Sequence, residues 1–379
     1  MKILVVTTVL ATGGAEMALF RVLHALRERG LTPLVVSIMA PQGEHFPDLG
    51  IETRSLNMPR ARLNAQALRR LRDIVREFQP DIVQGWMYHS NVLAHLARTF
   101  ASQQAGRRVP LAIAIRSSMT LFAQEKRLTK LVIRLDAWLS RRADRVFYVS
   151  RLGERQHSAF GYAKHRAMII PNGFNCDTFQ PMPQVRDAVR AELGLAPDTP
   201  LVGLVARWQP MKNHRGFLAA VGMLAERHPQ AHFLCVGRGC TAQDPAVLAC
   251  TPESVRSRVH WLAERGDIPR LNAALDIAVN ASLAEAFPNV VGEAMACGIP
   301  MVVTDVGDSA WILDGCGRVV PPGDDQALSE AIDAMLSLPA QARQQLGARA
   351  RERIMRDFSL QAVAEQYWRE WSALVAASR

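Results

Sequence analysis

Short apolar runs alternate with longer amphipathic segments along nearly the whole chain. The run Lys2–Thr7 is typical of a buried strand, and Ala15–Arg29 carries apolar residues at helical spacing before Gly30, a residue type that commonly ends helices. The same pair of patterns recurs many times. Such alternation predicts parallel strands whose sheet is covered by helices on both faces.

The pattern predicts two successive sets of strands and helices. In the first set we expect strands at 2–7, 33–39, 81–84, 111–115 and 145–149, with helices at 15–29, 61–78, 91–101 and 126–142. Pro171–Pro183 is rich in Pro, Asn, Gly and Asp, a composition that favours a linker. In the second set we expect strands at 201–206, 232–236, 259–261, 277–279, 301–304 and 317–320, with helices at 213–227, 289–297, 325–336, 340–356 and 360–376.

These two sets indicate an α/β protein of two doubly wound, Rossmann-like domains. We place the first at residues 1–180 and the second at 181–358. Ligands of such folds bind at the carboxyl ends of the strands, and we expect the domains to face each other so that the site lies in a cleft between them.

Composition narrows the class of protein further. Of 379 residues, 49% are hydrophobic and 21% are charged, which are globular values, and no apolar run approaches the length of a membrane span. The six cysteines form no C-x-x-C pair and no zinc-like cluster. We therefore expect a cytoplasmic protein without a metal constellation.

The charge of the chain is concentrated in its first half. Residues 1–180 carry 26 Lys and Arg against 13 Asp and Glu, whereas residues 181–379 carry 19 against 22. Basic residues cluster in Arg60–Arg76 and in Gln124–Arg145, the latter with leucines and Trp138 among them. Either these are helices with an ordinary solvated basic face, or they lie on an anionic membrane surface; the charge of the first half favours the membrane. No motif for nucleic acid accompanies them.

The segment Ser282–Gly298, SLAEAFPNVVGEAMACG, is the most informative for chemistry. Pro288 is placed to begin a helix and Gly298 to end it, with Glu285 in the preceding loop and Glu293 in the second turn. Loop amides backed by a helix N-terminus suit an anionic ligand, and the carboxylates suit its hydroxyl groups. The same spacing also fits two ordinary solvated acids at a helix end.

Six motifs in order resemble the retaining family-4 glycosyltransferases, which have the two-domain GT-B fold. The resemblance spans nearly the whole chain. The motifs are Gly13-Gly14-Ala15-Glu16, Pro171-Asn172-Gly173-Phe174, Gly203–His214 (GLVARWQPMKNH), Val236-Gly237-Arg238-Gly239, Glu285–Glu293 followed by EAMACGIPMV, and Asp305-Val306-Gly307-Asp308.

The resemblance implies a nucleotide-sugar site in the second domain and an acceptor site in the first. Glu285 would stabilise charge on the donor sugar, while Arg207 and Lys212 would stabilise the leaving diphosphate; His214 is expected only to cap or pack. The last helix, 359–379, would pack back on the first domain. The implied donor-binding residues are Gly14, Gly237, Arg265, Phe287, Asn289, Val290 and Glu293.

On the acceptor side we expect His89 and Tyr88, because an aromatic–polar cluster follows the 81–84 strand. Capping of the next helix is an equally good interpretation of His89. Many family members have a histidine near position 116; this chain has Arg116, which puts that role in doubt and suggests instead a contact with a phosphate of the donor or acceptor.

The resemblance implies a retaining, metal-independent transferase without a cofactor, in which the departing phosphate deprotonates the acceptor hydroxyl. A hexose or N-acetylhexosamine would move from a nucleoside-diphosphate sugar, preferably a UDP-sugar, to a glycan or lipid-linked acceptor of surface polysaccharide such as lipopolysaccharide, capsule or exopolysaccharide. Such an enzyme would be cytoplasmic and peripheral on the inner membrane face. Two alternatives remain: a GT-B nucleotide-sugar epimerase, and a non-catalytic nucleotide-sugar-binding scaffold at the membrane.

Overall fold

The computed structural model describes residues 1–10, 14–40, 50–58, 64–120 and 122–378. Gly13, Arg60, Arg62 and the expected helix start at 61–63 lie outside the described residues. The chain forms two compact units: Met1–Gly173 with Leu360–Arg379, and Phe174–Ser359. The sequence predicts the first boundary at residue 180, whereas the structure divides the chain after Gly173, within the Pro-Asn-Gly-Phe motif.

Unit 1 is built on a parallel sheet in the order β3-β2-β1-β4-β5-β6-β7. Its strands are β1 (Lys2–Thr7), β2 (Thr32–Ser37), β3 (Glu52–Ser55), β4 (Ile82–Trp86), β5 (Leu111–Ile115), β6 (Arg145–Tyr148) and β7 (Ala167–Ile169). Its helices are α1 (Gly14–Arg27), α2 (Ala65–Phe78), α3 (Tyr88–Ala105), α4 (Arg127–Leu139), α5 (Arg151–Phe160) and, from the chain end, α14 (Leu360–Ala377).

Unit 2 repeats the plan with a parallel sheet in the order β10-β9-β8-β11-β12-β13. Its strands are β8 (Leu201–Val205), β9 (His232–Val236), β10 (Val259–Leu262), β11 (Ile277–Asn280), β12 (Met301–Thr304) and β13 (Gly317–Val320). Its helices are α6 (Pro183–Glu192), α7 (His214–Gly222), α8 (Pro245–Ala249), α9 (Ile268–Ala273), α10 (Asn289–Ala296), α11 (Ser309–Leu313), α12 (Asp325–Leu336) and α13 (Ala340–Asp357).

The central strands form because their side chains are apolar on both faces. Residues Ile3–Val6 and Leu111–Ile115 are completely buried between helix layers. In each sheet the strand order reverses beside the first strand, which confirms two doubly wound α/β domains.

Helix α14 is part of the core of unit 1. Its residues Val363, Tyr367, Trp371 and Val375 are buried in one cluster with β1 and α1. Unit 2 begins at Phe174 and ends at Ser359, and within it the Phe174 N–H donates to the Phe358 carbonyl at 2.8 Å. Helix α14 therefore covers the sheet of unit 1 together with α1.

Within the described residues, no helix is both long and apolar enough to cross a bilayer. All six cysteines are unpaired thiols. Burial raises the pKa of the Cys297 thiol to about 12, with Glu293 as the next contribution, so this thiol stays protonated at neutral pH.

Candidate functional site

A cavity of about 420 Å³ opens at the carboxyl ends of the central strands of unit 2. Its walls come from the ends of β8 and β9, the segment after β10, the 3₁₀ turn Pro210–Lys212 and the first residues of α10. Of the predicted residues, the lining includes Arg207, Lys212, Gly237, Arg265, Glu285, Phe287, Asn289 and Val290.

A larger cavity of about 1220 Å³ lies elsewhere in unit 2, beside α6 and α13. Its wall includes Leu275 and Asp276 before β11, and Ile299 and Pro300 before β12. It therefore lies at the amino ends of the strands, whereas ligands of doubly wound sheets bind at the carboxyl ends. The smaller cavity is the candidate site.

Lys212 and Glu285 form a direct ion pair on the cavity wall. The Ser282 hydroxyl donates to the same Glu285 oxygen at 2.9 Å, and the side chains of Lys212 and Glu285 are 23% and 14% exposed. The Leu283 N–H donates to the Met211 carbonyl at 2.8 Å, and this hydrogen bond joins the loop after β11 to the turn Pro210–Lys212. Both charged groups are therefore held in place before any ligand arrives.

Two glycines allow the backbone to approach closely behind this pair. Gly307 has a φ of +58°, and a Cβ there would lie 2.6 Å from the Ala286 carbonyl oxygen and 2.8 Å from that of Glu285. At Gly237, φ is +147° and a Cβ would collide with the Ala206 carbonyl. Only glycine fits either position, since side chains disfavour this backbone region.

His214 holds the β8 end rather than facing a ligand. The residue is buried and its ring packs at a tilt against Trp208, with centroids 4.8 Å apart. Its Nε2 contacts the Ala206 carbonyl at 3.2 Å and Cys240 Sγ at 3.4 Å. Burial lowers the pKa of His214 to about 4, so the ring is neutral. Packing is the role that the sequence suggested for it.

Phe287 and Arg265, two of the predicted donor-binding residues, contact other side chains of unit 2. Phe287 lines the cavity while its ring packs among Phe174, Trp311 and Phe358, and the residue is buried. Arg265 makes a bidentate pair with Asp267, both contacts being 2.8 Å. Pro288 is the N-cap of α10 rather than its first residue, and the helix begins at Asn289.

Glu293 does not line this cavity. It is half-buried one turn along α10 from Asn289, on the same face of the helix. Gly14, the other predicted donor residue outside the cavity, belongs to unit 1, where it is exposed as the first residue of α1.

Two charged lining residues, Arg238 and Glu264, are not among the predicted site residues. Arg238 and Glu264 form a bidentate pair, with both N–O contacts at 2.9 Å, and both side chains are largely exposed. Arg238 stands inside the Val-Gly-Arg-Gly motif, and Glu264 follows β10 by two residues. The rule that ligand contacts follow strand ends would have found both.

In unit 1, two of the expected acceptor-side residues are turned into the fold. The Tyr88 hydroxyl contacts Ser117 Oγ at 2.9 Å and His157 Nε2 at 2.8 Å, and the residue is only 9% exposed. Tyr88 is therefore packed within unit 1, and its place on the acceptor side stays a prediction. The neighbouring His89 is half-buried in the first turn of α3, and burial lowers its pKa.

Arg116 is an internal clamp at the end of β5. Its guanidinium donates to the Ile170 carbonyl at 3.2 Å, to the Tyr367 hydroxyl at 3.1 Å and to Asn172 Oδ1, and lies 4.8 Å above the Trp86 ring. These contacts engage the guanidinium group and connect the end of β5 to α14. Arg116 is thus engaged by groups of unit 1, and its contact with a phosphate stays a prediction.

Asp136 is a completely buried acid behind Tyr88. It accepts from Asn91 Nδ2 at 3.0 Å and from the Tyr162 hydroxyl at 2.9 Å. Burial outweighs these two hydrogen bonds and raises the pKa of Asp136 to about 7.

This burial makes unit 1 less stable as the pH rises. Because the folded pKa exceeds the unfolded one, the native state binds the proton more tightly, so stability is full below pH ~4 and declines until the pH passes ~7. We expect Asp136→Asn to raise the free energy of unfolding at pH 8 by about 1–3 kcal/mol and to change it little at pH 4. Urea unfolding at both pH values measures this; an equal effect at both would contradict it.

Comparisons with known proteins place the whole arrangement in a family. Residues 12–178 match the model "Glycosyltransferase Family 4", and residues 199–337 match "Glycosyl transferases group 1". Among relatives, the putative glycosyltransferase EpsF of Bacillus subtilis is 31% identical over 38% of this chain and 37% of that protein. The UDP-Gal:alpha-D-GlcNAc-diphosphoundecaprenol alpha-1,3-galactosyltransferase of Escherichia coli is 31% identical over 36% of each chain.

The chain thus covers less than half the length of each of these two relatives. Solved structures extend the likeness of the fold over nearly the whole chain. The crystal structure of Anabaena Alr3699/HepE in complex with UDP superposes with a TM-score of 0.80 at 22% identity, covering 98% of this chain and all of that one. The same protein in complex with UDP-glucose gives 0.76 at 22% identity and the same coverage. The fold is therefore GT-B, and the chain belongs to the family-4 glycosyltransferases.

Proposed function

We propose that this chain moves a hexose or N-acetylhexosamine from a UDP-sugar to a glycan or lipid-linked glycan during surface polysaccharide synthesis, with retention of anomeric configuration. The observation that carries the proposal is the fixed Lys212–Glu285 pair on a cavity at the N-terminus of α10. The E. coli relative is named for a UDP-galactose donor and a diphosphoundecaprenol-linked acceptor, which supports this choice.

The cavity offers separate partners for the two parts of such a donor. The cations Arg207 and Lys212 and the positive end of α10 suit a diphosphate. The Glu285 carboxylate suits sugar hydroxyls and the positive charge that grows as the glycosidic bond breaks. Negative charge then accumulates on the departing diphosphate, whose oxygen takes the proton of the acceptor hydroxyl.

The donor experiment measures thermal stabilisation by UDP, GDP, ADP and their sugars. A ligand at about 100 times its Kd adds ~2.7 kcal/mol to the folded state. We expect UDP and one UDP-sugar to stabilise the wild type, and Glu293→Ala and Glu285→Gln to lose most of the shift for the sugar nucleotide. The exposed Glu253→Gln serves as the matched control. Equal shifts in all variants would contradict the donor site.

The reaction itself is tested with the best donor and a lipid-linked acceptor. Proton NMR of the product is expected to give the same anomeric configuration as the donor, at a rate unchanged by EDTA. Donor isomerised without acceptor would support an epimerase instead, and binding without any product would support a scaffold. We further propose a cytoplasmic location at the inner face of the membrane, where such an acceptor would be presented.

A further inference from the structure

Helix α4 presents an apolar stripe to solvent on the face opposite its buried one. Leu128, Leu131, Leu135 and Trp138 are 63%, 60%, 41% and 51% exposed. Among the described helices, no other carries more than one such exposed large apolar side chain. At about 100° per residue the four side chains fall within roughly 80° of the helix circumference. We call these four residues the α4 stripe.

The stripe is not an unfinished part of the core of unit 1. Helix α4 already packs against α3 through a separate face, where Ile133, Asp136 and Ala137 are buried. The exposed residues lie on the other side of the helix. A contiguous exposed apolar surface of this kind marks a binding site rather than chance exposure.

Exposed cations outnumber acids around the stripe, although Glu125 just before α4 is also exposed. Lys126, Arg127, Arg134, Arg141 and Arg142 are exposed along and just beyond α4. The only acid within α4 is Asp136, which is buried. The outward face of α4 is therefore apolar and positively charged.

A second group of cations adjoins the C-terminal end of the stripe. The Arg142 guanidinium lies 4.5 Å above the Trp138 ring. Burial first, and then the charges of Arg108 and Arg142, lower the pKa of Arg98, while Asp144 opposes the change. Asp144 pairs with Arg108 at 2.6 Å. Arg98, Arg108 and Arg142 thus lie close enough to influence one another's charge, and Arg142 on the Trp138 ring is placed to contact an anion.

We propose that the α4 stripe inserts into the interface of an anionic lipid bilayer while Arg127, Arg134, Arg141 and Arg142 contact the lipid phosphates. Exposed leucines and a tryptophan flanked by cations are the composition of helices that lie in the membrane plane. A second copy of the chain fits the stripe less well, because a two-fold contact would bring the same cations against each other. The inference concerns docking and does not depend on which sugar is transferred.

Vesicle flotation in the absence of any donor tests the docking. We expect binding to phosphatidylcholine vesicles with about 30% phosphatidylglycerol, and weak binding to phosphatidylcholine alone or at ~0.5 M salt. Leu131→Ser with Leu135→Ser should lower the partition coefficient at least about tenfold. The control is Met223→Ser with Met355→Ser, which removes two methionines of unit 2 that are 48% and 50% exposed.

The cations are tested by two charge reversals that change the net charge of the chain equally. Arg127→Glu with Arg134→Glu should weaken binding about tenfold or more. Arg215→Glu with Arg256→Glu reverses two exposed arginines of unit 2 and should leave most of the binding intact. Equal losses in both pairs would overturn the proposal in favour of unspecific attraction by net charge.

Insertion is tested with lipids brominated on their acyl chains, which quench a nearby indole. We expect quenching in the wild type and its loss in Trp138→Phe, which should still float with vesicles. Flotation of the wild type without quenching would overturn insertion. A dimer that Leu131→Asp dissociates, with no vesicle binding, would overturn the membrane as occupant. Transfer to a water-soluble acceptor should be unchanged in the leucine variants, so failure here is distinguishable from failure of the proposed reaction.

Discussion

Replacing Lys212 with methionine is expected to lower kcat by about 10²–10³-fold and to change KM only a few-fold. Methionine keeps the length and apolar stem of lysine but removes the charge that contacts Glu285. If Lys212 stabilises the leaving diphosphate, its charge matters most when the glycosidic bond is breaking. An interaction made mainly in the transition state appears in kcat rather than in KM.

Two variants at the same cavity serve as controls for this prediction. Lys212→Arg retains the charge and should recover part of kcat, although the planar guanidinium cannot reproduce the geometry of the ammonium. Arg238→Met removes an exposed cation of the same cavity that pairs with Glu264, and should alter KM far more than kcat. If Lys212→Met raised KM alone, Lys212 would be a ground-state binding residue and the assignment to the leaving group would fail.

The site in unit 2 was accessible from sequence because its residues follow strand ends. Arg207, Lys212 and Glu285 stand in short segments directly after apolar strands, and parallel strands bring such segments to one sheet edge. What the chain could not reveal is the direction of each side chain. Tyr88 and Arg116 also follow strands, but packing turns both into unit 1.

The hydrophobic pattern predicts the buried central strands well, and it predicts exposed edge strands and helix ends poorly. The bounds predicted for strands Leu111–Ile115 and His232–Val236 match the structure to the residue, because all of their residues except His232 are apolar and buried. The edge strand β3 was missed, since its sequence ETRS is polar and largely exposed. The predicted helix 213–227 ends early at Gly222, where a Cβ would lie 2.8 Å from Pro252. The glycine is required there by a contact with a residue 30 positions away, which the local pattern does not reveal.

The second large effect is expected from a substitution in α14, which belongs to the core of unit 1. We expect Trp371→Ala to lower the free energy of unfolding of unit 1 by about 3–5 kcal/mol. Trp371 is completely buried, packs at a tilt against Tyr367 with ring centroids 5.0 Å apart, and donates its indole N–H to Gln84 Oε1 at 3.0 Å. Alanine would leave a cavity and also an unpaired acceptor on Gln84, a residue that is itself fully buried.

Amide hydrogen exchange shows in which unit the stability is lost, whereas a single melting curve reports on both units together. Amides of β1 and β4 should exchange faster in Trp371→Ala, whereas those of β8 and β11 should change little, because the lost contacts belong to unit 1. The exposed Trp138→Ala is the matched control and should cost less than about 1 kcal/mol. If Trp371→Ala prevents folding, Trp371→Phe removes mainly the hydrogen bond and should cost about 1–2 kcal/mol. Equal acceleration in both sheets, or none in β1 and β4, would mean that α14 does not belong to the core of unit 1.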